Sequence, residues 1–461
     1  MSRSCFWKGS TEGVWGEEYG HGCRPFWRCW PILDSNGRAQ KMATIGEEEK
    51  ISHRALKRVV RNPLTYWSLA PLMEIVNLRE QSRAYKIWVR YLIWMMRSAC
   101  SKRKKVIWMS AFTPVELAYA VGAIPILPEI IAALVSYLGW APPFISIGNS
   151  MMSTDVCSFY RCALGLAVEG YLPRPDLIVS SSHLCDGANK FFSYLSQRYA
   201  CSHLLLDPPY DTGPEAHGYV TDQLRYLLAH MVDLMAVSLS EEELCKVVGL
   251  SNTMRKYMVR INRLRMAIPA PFPGSEGLSY LAGMGFCSPG STWGVRFSAI
   301  LARELEDRVA KKRGYLDNER YRVLWLHHIR PYYQNDIFQF LSSQGVSVCF
   351  EEANYMYWPP FDPTKPLDSL AHKILSNVWA GPLERRLGAV KEMVNNYRVN
   401  GVIHFSHWGC RQSCGGASII GDFLKDQGVP YMILYGDGAD PDNYFPGQTR
   451  TRLQAFVEML G

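Results

Sequence analysis

Two cysteines, Cys410 and Cys185, stand where an apolar, strand-like run hands over to a helix-like one, and a third, Cys157, stands at a helix start. Cys410 follows Gly401-Val-Ile-His-Phe-Ser-His-Trp-Gly, in which Val402 to Phe405 reads as a short buried strand; Gly415 and Gly416 then release the backbone into an apolar helical segment that ends before Gly428. Cys185 lies in the loop Ser182-His-Leu-Cys-Asp-Gly187, between an expected strand over 176–181 and an expected helix over 188–198. Cys157 falls in the first turn of a helix opening at Asp155. A thiol at a helix N-terminus is favoured as thiolate, and thiolates are soft ligands for zinc or an iron-sulfur cluster. Cys157-x4-Cys162 and Cys410-x3-Cys414 are spaced more widely than the usual zinc knuckle. A cluster would need separate loops to converge, and each cysteine taken alone also reads as a small buried hydrophobe. Spacing leaves these readings open.

The elements that must position these thiols alternate. After a region of helical periodicity from Glu47 to Ser101, strand signals at 105–109, 176–181 and 203–206 are separated by helical ones. A mostly helical stretch follows, with Asn252 and Asn262 in an arginine-rich part. A second alternating series then begins at Arg322-Val-Leu-Trp-Leu, with strands at 346–350, 402–405 and 431–434. The pattern predicts an α/β chain with two Rossmann-like or flavodoxin-like parallel-sheet domains, a helical N-terminal region and a helical connector. The expected division is a disordered extension over 1–46, a helical region over 47–104, a first α/β domain over 105–214, the connector over 215–320 and a second α/β domain over 321–461.

Composition narrows the class. With 461 residues, 48% hydrophobic and 20% charged, the chain is too long for one ordinary core and has the balance of a globular protein. Thirteen cysteines cannot all pair internally, and no apolar signal segment precedes them, so free or metal-bound thiols in a reducing compartment, the cytoplasm, are expected. Met42 reads as a natural start. The apolar stretch from Val121 to Ile147 is interrupted by Pro125, Pro128, Glu129, Pro142 and Pro143, which suits a strand, a buried helix and a loop better than a membrane span. A net charge of +8 without a zinc finger, RNP or GxxG pattern gives no reason to expect nucleic-acid binding. No Walker A loop or nucleophile elbow is present, and Gly436-Asp-Gly438 lacks the third glycine of a dinucleotide fingerprint, so it reads as a turn. Thr113-Pro-Val-Glu116 has the form of a helix start; Glu116 is either a first-turn dipole partner or a carboxylate facing the crevice.

Six segments in order carry a resemblance: Pro114-Val-Glu116-Leu-Ala-Tyr-Ala-Val-Gly122-Ala-Ile-Pro125, Cys157-Ser-Phe-Tyr-Arg161, His183-Leu-Cys185-Asp186-Gly187, His404-Phe-Ser-His-Trp-Gly-Cys410-Arg-Gln, Gly436-Asp-Gly438-Ala-Asp-Pro441 and Thr449-Arg-Thr-Arg452. Together they resemble the 2-hydroxyacyl-CoA dehydratase and benzoyl-CoA reductase family from about Glu47 to the end. The resemblance implies an oxygen-sensitive lyase subunit with a 4Fe-4S cluster held by Cys157, Cys185 and Cys410 and one iron left open. It implies an acyl-CoA substrate, dehydrated through a ketyl radical, a similar second subunit in a heterodimer, and an ATP-dependent iron-sulfur activator protein, with no nucleic acid or membrane partner. Glu116 matches the family's carboxylate near the substrate, and His407 and His183 flank ligand cysteines, as hydrogen-bond donors to sulfur or carbonyl. Alternatives are a reductase of the benzoyl-CoA type, a double-cubane reductase using Cys162, Cys201 and Cys414, a non-catalytic electron-transfer subunit, and a zinc-stabilised binding protein.

Overall fold

Eight short runs of mainly apolar residues pair into two parallel sheets of four strands. The computed structural model describes residues 57–62, 64, 65, 82–101 and 103–461, all in the unit Ala55–Gly461. The expected extension over 1–46, and much of the helical region that follows it, lie outside the described residues. The first sheet contains β1 (Val106–Met109), β2 (Ile124–Ile126), β3 (Leu177–Ser181) and β4 (His203–Leu206) in the order β2-β1-β3-β4. The second contains β5 (Tyr321–Leu326), β6 (Val346–Glu351), β7 (Gly401–His407) and β8 (Tyr431–Gly436) in the order β6-β5-β7-β8. The two orders are the same. In each sheet the chain leaves the first strand to one side, then returns to its other side.

That return creates a crevice at the carboxyl ends of the two central strands, β1 with β3 and β5 with β7, where neighbouring connections diverge to opposite faces. Most strand residues are buried, with Trp108 and Trp325 fully enclosed in their respective sheets. Burial of such side chains stabilises each sheet by ~1.5–3 kcal/mol apiece. Near-continuous burial along β1, β3, β6 and β7 explains why these strands read as apolar runs rather than as alternating ones.

The helices that matter for the site, in chain order, are α1 (Arg83–Cys100), α2 (Glu116–Ala120), α3 (Pro128–Tyr137), α4 (Ala141–Asn149), α5 (Ser158–Val168), α6 (Asp186–Tyr199), α7 (Pro214–Met235), α8 (Glu241–Leu264), α9 (Thr292–Ala310), α10 (Pro366–Leu375) and α11 (Arg411–Cys414). The apolar stretch from Val121 divides into β2, α3 and α4, each begun or interrupted by a proline. No helix among the described residues is long and apolar enough to cross a membrane. Helices α4 and α5 approach so closely that a Cβ on Gly165 would collide with the Phe144 carbonyl oxygen. This fixes α5, and with it the cysteine at its head.

Candidate active site

Cys157, Cys185 and Cys410 are the N-cap residues of α5, α6 and α11. The first-turn amides of Phe159 and Ala188 face the sulfurs of Cys157 and Cys185, and those of Ser413 and Gln412 face that of Cys410; none closes a capping hydrogen bond, but each favours the thiolate through its dipole. Burial acts the other way. It pushes the Cys185 thiol up to about 11 and raises Cys157 and Cys410 as well, with neighbouring sulfurs adding to the effect: Cys185 and Cys410 at Cys157, Cys410 at Cys185, and Cys414 at Cys410. A cation would replace the protons and remove this penalty.

All three line one cavity of about 1200 Å³. It exceeds the ~300–1,000 Å³ of ordinary ligand pockets. Its walls come from the carboxyl ends of β1, β3, β5 and β7, represented by Phe112, Leu184, His328 and Gly409, with the apolar face of α1 closing part of it. Both sheet crevices therefore open into the same space.

The Cys157 segment is held by its own neighbours. Arg161 donates from Nε to the Val156 carbonyl at 2.9 Å and from Nη1 to Asn149 at 2.7 Å, and it pairs with Asp437 at 3.7 Å and Asp440 at 3.5 Å. Ser158 donates to Asp437, whose carboxylate also accepts from the amides of Ala439 and Asp440. The turn Gly436-Asp437-Gly438 thus ties the second sheet to α5. Nearby, Gly438 N–H donates to His407 Nδ1 at 3.1 Å, so the neutral ring carries its proton on Nε2, 3.2 Å from Cys157 Sγ. His407 is a hydrogen-bond donor to a cysteine sulfur.

Among the described residues, no group of three His, Cys, Asp or Glu side chains converges as a site for a single metal ion. A cubane is a different object, because it takes one thiolate at each of several separate corners and keeps the sulfurs apart. Three N-cap thiols around one void, each with amide donors behind it, suit such a group.

The sequence matches the family model for 2-hydroxyglutaryl-CoA dehydratase, D-component, over residues 110–460. The chain belongs to this family. Relatives include the (R)-phenyllactyl-CoA dehydratase alpha subunit of Clostridium sporogenes, 24% identical over 78% of this chain and 91% of the relative. The (R)-2-hydroxyglutaryl-CoA dehydratase alpha subunit of Acidaminococcus fermentans is 23% identical over 63% of this chain and 61% of its own length. A benzoyl-CoA reductase subunit of Thauera aromatica is 22% identical over 67% and 77% respectively.

Two residues singled out in the sequence, Glu116 and His183, lie outside the lining of the cysteine cavity. Glu116 is fully buried in the first turn of α2, where its Oε1 accepts from Ser251 at 2.7 Å and from Lys373 of α10 at 2.8 Å. It is not among the residues lining the cysteine cavity. An early carboxylate on a short helix finds its cation in a neighbouring helix, and the ion pair turns it away from the crevice. His183 likewise borders a smaller void of about 90 Å³, and burial lowers its pKa to about 4.

The buried carboxylate that does line the cysteine cavity is Glu129, in the first turn of α3. Its Oε1 accepts from the Ala111 amide at 2.6 Å and from Tyr160 at 3.3 Å, while Oε2 has no partner among the described residues. Burial raises its pKa to about 7. In the sequence it stands as an acid in an apolar run after Pro128, and that isolation is the signal that could have singled it out.

The three further cysteines do not gather. Cys162 is fully enclosed in α5 near Asp440, Cys201 lies near Arg174 and Asp176, and Cys414 is exposed beside Ser406 and Ser413. Arg450 pairs with Asp336 at 3.6 Å, and Arg452 donates to the Ile433 carbonyl at 2.7 Å.

Proposed function

We propose that this chain is the iron-sulfur subunit of a 2-hydroxyacyl-CoA dehydratase. It works beside a similar second subunit and receives electrons from a separate ATP-dependent iron-sulfur activator. The observation that carries the reading is the meeting of three N-cap cysteines with a carboxylate of pKa about 7 in one cavity. Relatives named as dehydratase alpha subunits support it.

Cys157, Cys185 and Cys410 would hold a 4Fe-4S cluster. Bound there, it would supply one-electron chemistry, through a ketyl radical of the thioester, and an iron with a free coordination position. The need is chemical: elimination of a 2-hydroxyl removes a β-hydrogen that the thioester carbonyl does not acidify. Acid-base catalysis alone contributes ~10²- to 10⁴-fold. The chain's own residues do the rest. Glu129 presents its free Oε2 to the cavity and exchanges a proton near neutrality, as the base that takes the β-hydrogen as a proton or as the acid that protonates the departing hydroxyl so that it leaves as water. His407 Nε2–H and the helix amides stabilise charge on the sulfurs. The apolar side of the cavity, from Trp88, Leu92 and Phe286, keeps water from the reacting carbon.

The test is anaerobic. Wild-type protein is expected to hold about four irons per chain, lost in Cys157→Ala, Cys185→Ala and Cys410→Ala but kept in Cys349→Ala, whose thiol is enclosed in the second sheet. With partner and activator the chain should dehydrate a 2-hydroxyacyl-CoA. Iron retention in all three ligand variants would overturn the assignment. The similarity to a benzoyl-CoA reductase subunit supports a second reading, a reductase that uses the same cavity; reduction of benzoyl-CoA without dehydratase activity would select it.

A further inference from the structure

Four arginines among the described residues are buried, and each has a carboxylate. Arg161 faces Asp437 and Asp440, Arg265 faces Glu351, Arg322 faces Glu319 and Arg386 faces Glu352. Arg330, less completely enclosed than these four, differs from them. It follows β5, lines the cysteine cavity, and is desolvated enough that burial lowers its pKa. No carboxylate lies within ion-pair distance of it among the described residues. Its Nη2 donates to Ser279 Oγ at 3.1 Å, its Nε is buried without an acceptor, and its guanidinium carbon lies 5.3 Å from the Tyr332 ring centroid and 5.4 Å from that of Phe338.

The cavity's acids do not answer it. Glu129 is held through Oε1 by Ala111 and Tyr160, Glu276 accepts from Tyr280, Asp155 accepts from Ser153 and Asp186 pairs with Arg411; none of the four forms an ion pair with Arg330. A desolvated cation without a counterion is costly, and a planar fork of donors with one nitrogen unused is the geometry that receives an oxyanion. Ser279 belongs to a five-residue π-helical turn, Gly277–Leu281, a rare conformation found mostly at functional sites. Here the turn sets a hydroxyl beside the guanidinium.

We propose that Arg330 and Ser279 form an anion subsite of this cavity that takes an oxyanion carried by the thioester ligand, either a carboxylate on its acyl chain or a phosphate of its CoA. The identity of the ligand as an acyl thioester rests on the function proposed above; the vacant cation does not. The subsite would fix the ligand at one end while the thioester reaches the cysteines.

Calorimetric titration of the full chain with glutaryl-CoA, hexanoyl-CoA and S-glutaryl-pantetheine tests this, using wild type, Arg330→Met and Arg330→Lys. Loss of one charge-assisted hydrogen-bonded pair weakens binding roughly 10- to 100-fold. If the anion is the acyl carboxylate, Arg330→Met loses that factor for glutaryl-CoA and S-glutaryl-pantetheine but not for hexanoyl-CoA. If it is a CoA phosphate, the loss appears with both CoA esters and spares the pantetheine. Arg330→Lys recovers part of the affinity in either case, through charge without the fork. Wild type that binds none of the three probes, or Arg330→Met that binds all three as wild type does, overturns the proposal. Iron content measured in parallel separates this failure from that of the cluster assignment, since Arg330→Met leaves the three cysteines in place.

Discussion

The loops that present Cys185 and Cys410 are one backbone solution used twice. Each follows the third strand of its sheet, and each sets a residue of positive φ just before the cysteine: Leu184 at 68° and Gly409 at 77°. The cysteines then have nearly equal extended conformations, φ −138°, ψ 105° and φ −113°, ψ 102°, and each caps the helix that follows. The residues after them, Asp186 and Arg411, form an ion pair that links the two arms. The difference lies in what stands before the cysteine. A Cβ on Gly409 would lie 2.7 Å from the Cys157 amide nitrogen, so that arm is pressed against a backbone. Leu184 instead lines the cavity with its side chain. Left-handed backbone costs a non-glycine residue ~1–3 kcal/mol. The chain therefore bears strain where the cavity wall uses a side chain, and uses glycine where two loops touch.

The largest effect should come from removing either thiol. If the arms are equal halves of one site, Cys185→Ala and Cys410→Ala each abolish iron binding and its visible absorbance; a variant that keeps half its iron would break the equivalence. Next is the chemistry beside the first arm, where Glu129 and Tyr160 approach Cys185. Glu129→Gln should lower kcat by ~10²- to 10⁴-fold with KM little changed, and should abolish a pH limb near 7 in the wild-type profile. The same group shapes stability. Its carboxyl is raised to about 7 when folded, so between roughly pH 4.5 and 7 the folded state holds the proton and the unfolded state does not. Wild type should lose on the order of 3 kcal/mol from this group as pH rises through that window, and Glu129→Gln should not. Chemical denaturation at pH 5 and pH 8 measures it.

Smaller effects distinguish the two turns themselves. Gly409→Ala should destabilise by roughly 2–4 kcal/mol, from left-handed strain and contact with the Cys157 backbone. Leu184→Gly should change stability by no more than about 1 kcal/mol, because relief of strain offsets the greater freedom of the unfolded chain and the lost contact. Equal effects at the two positions, measured by the same denaturation, would remove the contrast between the arms.

Much of this is legible in the sequence because it rests on local patterns. Strand β4 lies at 203–206 as its apolar run predicts, and the helix expected over 188–198 is observed as Asp186–Tyr199. Glycines and apolar runs around the three cysteines suffice to put them at helix starts. Direction is what local pattern does not carry. Glu116 and Glu129 are both first-turn carboxylates after a proline. Only the packing of α2 against α8 and α10 turns one towards Ser251 and Lys373, while α3 points the other into the void. His327, His328 and Arg330 form no motif, and they matter only because β5 ends at the crevice. The Gly436-Asp437-Gly438 segment is recognisable as a turn, but its partners on α5 are distant in the chain.

That distance has a consequence for how the protein is made. Cys157 and His407, in contact in the folded protein, are 250 residues apart in the chain. At translation rates of ~5–20 residues per second, roughly 12 to 50 s pass between their synthesis. During that interval Cys157 and Cys185 are present without the third thiol. A nascent or truncated chain lacking the C-terminal segment is a vessel without its last wall, and if the three thiols hold the proposed cluster, its insertion would act as a checkpoint on completed synthesis.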